Sequence, residues 1–222
     1  MGDLGRVGPP AAVVFDLDGT LVDTTAVWTA AYLDVLGERA TELGPADRTA
    51  LLGASVTSAG RYLRRRLALD EAAQPLEQAL ADRLGAHLTT AARALPDARA
   101  LLARLGTRRR LAVASNAPRW FVLRALTAAG LADRFAAVLG EEDAARPKPP
   151  PDLYLRACEA LEAAPGRAVV VEDSPAGVAA ARAAGLHVIC RPVVPVGPVA
   201  AHRVVASLED AAVMADLGLA GE

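Results

Sequence analysis

Ala11-Ala12-Val13-Val14-Phe15, followed at once by Asp16-Leu17-Asp18-Gly19-Thr20, is the stretch on which the fold turns. Five apolar residues run without polar alternation and stop on two acids and a glycine. A strand of this kind is buried on both faces, which places it in a parallel sheet covered by crossover helices. The pattern recurs at Leu111-Ala112-Val113-Ala114, stopped by Ser115-Asn116-Ala117-Pro118, and at Ala168-Val169-Val170-Val171, stopped by Glu172-Asp173-Ser174-Pro175. Two shorter strand candidates follow, at 187–190 and 203–206. Helical stretches fit between them, around Leu101, Leu102 and Leu105 and at 121–129, 153–161 and 176–184, each expected to close on a left-handed glycine such as Gly106, Gly130 or Gly185.

The segment 24–92 differs. It carries no β-branched run and sets Leu76, Leu80, Leu84 and Leu88 at helical spacing. Lying between the first and second strands, it reads as an all-helical insert. The expected organisation is therefore an α/β core from residues 1–23 and 93–222, interrupted by a helical unit at 24–92.

Composition excludes several classes. The 222 residues are 53% hydrophobic and carry 26 acids against 24 bases. The longest uncharged stretch, 49–60, is too short and too polar for a membrane helix, which needs roughly 18 apolar residues. A near-neutral charge and only eight aromatics give no basic stripe or stacking platform for nucleic acid. Cys158 and Cys190 form no metal-type pair and read as buried thiols of a reducing compartment, so a cytoplasmic location is expected. Residues 1–10, with an early acid and no apolar core, read as a disordered lead-in rather than a signal. Of the 24 basic residues only one is Lys, Lys148, and the chain has one Asn, Asn116.

Ligands of open parallel sheets bind beyond the carboxyl ends of the strands, where all three polar clusters fall. Asp16 and Asp18 are two apart, so both carboxylates point to one side of an extended strand end. Ser115 and Asn116 end the second strand, Lys148 lies in Arg146-Pro147-Lys148-Pro149, and Glu172 and Asp173 end the third. Four carboxylates cannot crowd together without a counter-charge, which calls for a divalent cation. Oxygen donors suit Mg²⁺, and Mg²⁺ usually completes its shell with water and substrate phosphate. A carboxylate nucleophile, a metal and an ammonium are what phosphoryl transfer requires.

Four motifs in order, Phe15-Asp16-Leu17-Asp18-Gly19-Thr20-Leu21-Val22-Asp23-Thr24, Ser115-Asn116, Lys148-Pro149-Pro150-Pro151-Asp152 and Val171-Glu172-Asp173-Ser174-Pro175, resemble those of the haloacid dehalogenase superfamily. The branch most similar is that of phosphoglycolate phosphatases and β-phosphoglucomutases. The resemblance implies a Rossmann-like parallel-sheet core with an inserted all-helical cap domain, and a phosphatase acting through an aspartyl-phosphate. It makes Asp16 the nucleophile and Asp18 the acid and base on the leaving group and water. Ser115 would donate to a phosphoryl oxygen and Lys148 would offset charge between Asp16, the phosphoryl group and the fourth motif, with Gly19, Thr20 and Asn116 against the phosphate. The metal set would be Asp16, the Asp18 carbonyl, Asp173, and Glu172 as a ligand or a holder of metal-bound water. The expected partner is a small phosphorylated metabolite, with no nucleic acid or membrane, for a monomer or weak homodimer.

Asp18 disfavours the dehalogenase and phosphonate-cleaving members of the superfamily, which lack that second Asp. Trp28 stands where the resembled mutases place a cap His, ten residues after it, which shifts the balance from phosphomutase to phosphatase. A receiver-type signalling domain shares the residue types but not their order, and a catalytically silent phosphate-binding scaffold would need a reason the motifs do not supply. Trp28, Ser55 in the turn Gly53-Ala54-Ser55, and Arg61 beside Arg64, Arg65 and Arg66 are the candidates for substrate specificity. Where Arg has replaced Lys everywhere else, the surviving Lys148 marks a place that takes a compact point charge and not a planar fork. Lys148→Arg is expected to lose most activity in a phosphate-release assay despite keeping the charge; near-wild-type turnover would return the lone lysine to chance.

Overall fold

The computed structural model describes residues 8–70, 76–107, 109–193 and 197–220. The first seven residues of the expected lead-in lie outside the described residues. In chain order, β1 (Ala12–Phe15) leads through a turn to β2 (Val22–Asp23). The helices α1 (Thr25–Leu36), α2 (Pro45–Leu51), α3 (Val56–Leu67) and α4 (Leu76–Ala91) follow, with a 3-10 segment at Gly37–Glu42. The chain returns through β3 (Arg93–Ala94) and continues as α5 (Pro96–Leu105), β4 (Arg110–Ala114), α6 (Arg119–Ala128), β5 (Ala137–Leu139) and α7 (Asp152–Ala160). It closes with β6 (Ala168–Glu172), α8 (Pro175–Ala183), β7 (His187–Cys190), β8 (Arg203–Val204) and α9 (Ala211–Asp216).

Six strands form one parallel sheet in the order β5-β4-β1-β6-β7-β8. The chain builds one half outward from β1 through β4 to β5, then crosses back to lay β6 on the other side. That reversal leaves a crevice at the carboxyl end of β1, the place where such sheets hold ligands. Phe15 is in register with Val113 and Val171, so the three strands end level and their polar stops meet. The fold is α/β with a helical cap inserted between β1 and β4.

Strand pleating divides the core. Val13, Phe15, Leu111, Val113, Val169 and Val171 face one side, and share a continuous apolar cluster with α5, α6 and the cap leucines. Ala12, Val14, Ala112, Ala114, Ala168 and Val170 face α7 and α8. The second face is nearly all Ala and Val, which lets those two helices approach closely. Proline at the first turn starts α2, α5 and α8, and Ser55, Ser174 and Asp210 cap α3, α8 and α9 through their side chains.

Three details differ from the sequence expectations. The insert is flanked by a two-residue antiparallel ribbon, Val22 with Ala94 and Asp23 with Arg93, which no run of residues announces. The edge strand β5 has only three residues. Helix α7 does not end on glycine; Glu162 takes the left-handed conformation there, with φ 50°. Gly106, Gly130 and Gly185 do adopt positive φ, as expected.

Leu80, Leu84 and Leu88 are fully buried along α4, at the spacing that exposes one seam. Leu84→Ala is expected to destabilise the chain by about 2–5 kcal/mol in urea unfolding. Leu123→Ala, at a side chain 44% exposed, should change it by under about 0.5 kcal/mol. Equal effects would show that the seam is not packed as described.

Candidate active site

The end of β1 delivers Asp16 and Asp18 to one cavity of about 660 Å³, whose lining also includes Ser115, Asn116 and Asp173 from the ends of β4 and β6. The cap closes the other side with α1, α2 and the turn at 52–54. Gly19 turns the chain away at φ 75°, and a Cβ there would lie 2.5 Å from Asp173 Oδ2. Any other residue would push the two acidic strand ends apart.

Lys148 reaches Asp16 from the loop between β5 and α7. Its ammonium is buried, 2.7 Å from Asp16 Oδ1 and 2.8 Å from Glu172 Oε1. It also lies 4.7 Å from the centre of the Tyr154 ring, a cation over an aromatic face. Asn116 fixes the Lys148 backbone on both sides: its Oδ1 accepts from Lys148 N–H and its Nδ2 donates to the Lys148 carbonyl. The same Nδ2 donates to the carbonyl of Gly53 in the cap, at 2.8 Å.

Glu172 is more committed than expected. Oε1 accepts from Lys148 and the Tyr154 hydroxyl, and Oε2 from the backbone N–H groups of Asp173 and Ser174 and the Ser174 hydroxyl. A carboxylate offers about four lone-pair sites, so five donors fill it. Gly177 in the first turn of α8 makes room, because a Cβ there would overlap the Glu172 carboxylate. Asp18 is held by Thr24 and by Trp28 Nε1–H, which both donate to Oδ1, the latter at 3.0 Å, while Ser115 Oγ lies 3.3 Å from Oδ2.

The electrostatics follow from one ammonium among four acids. Burial, with Glu172 and Asp18 adding to it, pushes Asp16 up to about 8 even though Lys148 opposes the shift. Burial raises Asp173 well above the carboxylate range, with Glu172, Asp16 and Asp18 adding to it. Asp18 is raised by burial against the hydrogen bonds of Thr24, Trp28 and Ser115. Burial, the largest influence, would also raise Glu172, but Lys148 together with the hydrogen bonds from Tyr154 and the Ser174 N–H outweighs it and holds Glu172 below its ordinary value. Lys148 is raised, since the two carboxylates outweigh its own burial.

Oxygens of Asp16, Glu172 and Asp173 lie within 4.8 Å of one another. Asp173 Oδ2 is buried with no hydrogen-bond partner among the described residues. An orphaned carboxylate oxygen beside a second carboxylate that is itself short of positive charge fits a cation.

Other predicted residues fall elsewhere. Thr20 is buried and its hydroxyl has no partner, but it is absent from the cavity lining. Ser55 caps α3, its Oγ accepting from the Ser58 N–H and donating to the Ser58 hydroxyl, and it lies near enough to Glu141 of the core to lower that acid against its burial, so its hydroxyl is spent within the cap helix. Arg61 is exposed on α3 near Glu77 and does not line the cavity; its neighbours Arg64 and Arg66 pair with Glu77 and Asp47 inside the cap. Trp28 both lines the cavity and packs on Tyr32 and Phe121. Two participants had no sequence signal. Tyr154 is an ordinary apolar-face residue of α7, and Thr24 is bound to Asp18 only once the chain turns.

Glu172→Ala is expected to cost about 3–5 kcal/mol in urea unfolding, because it leaves a buried ammonium and four other donors underpaired. A loss below about 1 kcal/mol would show that the buried pair is dispensable to the fold.

The haloacid dehalogenase-like hydrolase family pattern matches residues 13–190. A phosphoglycolate phosphatase of Rhodospirillum rubrum is 34% identical over 219 residues, covering 90% of both chains. Hexitol phosphatase A of Escherichia coli is 36% identical over 182 residues, covering 79% of this chain and 80% of its own. Among solved structures, CbbY from Rhodobacter sphaeroides in complex with phosphate superposes with a TM-score of 0.78 at 27% identity, covering 90% of this chain and 96% of that one. The chain belongs to the haloacid dehalogenase-like hydrolases and stands among their phosphatases.

Proposed function

We propose that the chain is a cytoplasmic Mg²⁺-dependent phosphatase that hydrolyses a small phosphorylated metabolite, a sugar phosphate or phosphoglycolate, through an aspartyl-phosphate on Asp16. The observation that carries this reading is the pairing of roles at the end of β1. Asp16 is gripped by a buried ammonium that offsets phosphoryl charge, and Asp18 stands beside it on the cavity wall with its proton favoured by burial. Residues 24–92 act as the cap over a core of 1–23 and 93–222.

In the first half-reaction an Asp16 oxygen attacks phosphorus, the bond to the leaving oxygen breaks, and Asp18 gives that oxygen its proton. In the second, Asp18 takes a proton from water as it attacks phosphorus, which frees Asp16 and releases phosphate. Ser115 Oγ accepts from Ala117 N–H and donates to Asp18 Oδ2 across 3.3 Å, a long bond from which its hydrogen could turn towards a phosphoryl oxygen. Glu172 acts through Lys148 and not on substrate.

Asp16 and Asp173 would hold Mg²⁺, with the Asp18 carbonyl as a further donor. The ion would supply the positive charge that Asp16 lacks, keeping it ionised for attack, and would offset charge on the phosphoryl oxygens. Hydrolysis is favoured over phosphoryl return because Trp28, an obligate donor, occupies Asp18 Oδ1, and none of the three His residues lines the cavity.

Two tests follow. Asp16→Asn should abolish phosphate release; release that persists would sink the mechanism. Mg²⁺ affinity should rise with pH. Asp16 is an acid whose folded value, about 8, lies above its ordinary 3.8, so without the ion folding loses stability as pH climbs between those values. Protons compete with the ion below about 8, and affinity by calorimetry should fall by up to about tenfold per unit of pH for each proton displaced. An affinity flat from pH 6 to 8 would show that Asp16 does not hold the ion.

A further inference from the structure

The cavity is larger and less polar than phosphate chemistry alone requires. Along α1 its lining runs from Thr25 to Leu33, a rise of about 12 Å, and a two-carbon glycolate would leave most of that length empty. Beyond the acids the walls are largely apolar: Trp28, Tyr32, Leu33, Leu43, Leu52 and Val193. Leu33 and Val193 are 51% and 39% exposed, two of the five large apolar side chains left uncovered among the described residues, and both stand at this one cavity. Apolar side chains kept in water at the mouth of a site gain stability only when a ligand covers them.

One cation lines the same cavity, Arg48 on α2. It is exposed and has no acid partner among the described residues. Its neighbour Asp47 is taken by Arg66, Tyr62 and the Gly44 N–H, and Glu42 by Arg39. The other Asp, Glu, Lys or Arg side chains in the lining are all acids: Asp16, Asp18 and Asp173. An unpaired guanidinium beside an apolar wall is a ready partner for an anionic group.

We infer that the substrate is a phosphomonoester whose leaving group carries a ring with an apolar face, packed on Trp28, Tyr32 and Leu33, and a second anionic group held by Arg48. This rests on the phosphatase reading and narrows it by removing phosphoglycolate.

The test compares phosphoglycolate, benzyl phosphate, para-carboxybenzyl phosphate and its para-phosphonomethyl counterpart. Their leaving groups are all primary alcohols, so fit and not leaving-group reactivity is the main variable. Benzyl phosphate should exceed phosphoglycolate in kcat/KM by about tenfold or more. A second anion should add about tenfold, through KM. The better of the two anionic arms tells carboxylate from phosphate. In Arg48→Ala the ratio between doubly and singly anionic esters should collapse to near one, and Leu33→Asp should raise KM for the ring esters alone. Both side chains are exposed, so neither change threatens the fold.

Phosphoglycolate turned over as well as the ring esters, or a ratio that survives Arg48→Ala, would overturn the inference. Failure of wild type to release phosphate from any ester, or release by Asp16→Asn, would instead sink the phosphatase reading. The inference would still be decided by calorimetry with benzylphosphonate and its para-carboxy analogue in the presence of Mg²⁺. There the carboxylate should tighten binding to wild type about tenfold and to Arg48→Ala not at all; equal gains in both would overturn it.

Discussion

A single buried ammonium, Lys148, stands between Asp16 and Glu172, and the rest of the site is arranged to keep it there. Removing three charges from water is expensive, and such a cluster is weak evidence of stability in itself. What repays the desolvation is the fullness of the surrounding contacts. Asn116 holds the Lys148 backbone, the Tyr154 ring lies beside the ammonium, and Glu172 accepts five hydrogen bonds. Even so, one positive charge cannot satisfy four acids. The deficit is left at Asp16 and Asp173, the two carboxylates that face the cavity with oxygen to spare. The structure thus separates a satisfied acid, which positions the lysine, from two unsatisfied ones, which have something still to bind.

That separation was only half legible in the sequence. The strand ends could be read because a doubly buried strand and its polar stop are local patterns, and the three longest such runs became the centre of the sheet. The three-residue β5 and the two-residue ribbon of β2 and β3 left no pattern, since their pairing depends on where neighbouring strands already lie. In the site, Asp16, Asp18, Ser115, Lys148 and Asp173 could be named from position alone. The parts of Glu172 and Asn116 could not, because they depend on how many donors the folded chain brings to each side chain. Asn116 was expected against phosphate, whereas its amide is spent on two backbone segments.

The cap was legible as helices and illegible as a surface. Helical spacing shows which residues share a face, but not which face turns to the core. Arg61 and Arg48 are equally plausible cations on paper. Docking of the cap turned Arg48 to the cavity and left Arg61 near Glu77. Ser55, at the specificity turn, went to a helix cap, where it is bound to Ser58. The outcome for the two cations belongs to tertiary contacts between segments far apart in sequence.

The same docking reaches the chemistry. Trp28 comes from the cap, yet its indole N–H is bound to Asp18, and Gly53 of the cap is bound to the asparagine that holds Lys148. An indole nitrogen can only donate, so Asp18 Oδ1 must accept from it. Oδ2 accepts from Ser115 Oγ at 3.3 Å, but a hydroxyl can turn round and accept instead, so a proton on Asp18 is placed more readily on Oδ2 than on Oδ1. A histidine in place of Trp28 could have accepted that proton or offered its own. The tryptophan can do neither, so if Asp18 is the acid of the proposed mechanism, Trp28 biases which of its oxygens would carry the proton and takes no part in the proton's movement. Cap position and proton position are in this way linked under the proposed mechanism: with α1 seated, Oδ1 is occupied and Oδ2 would be the oxygen from which Asp18 gives.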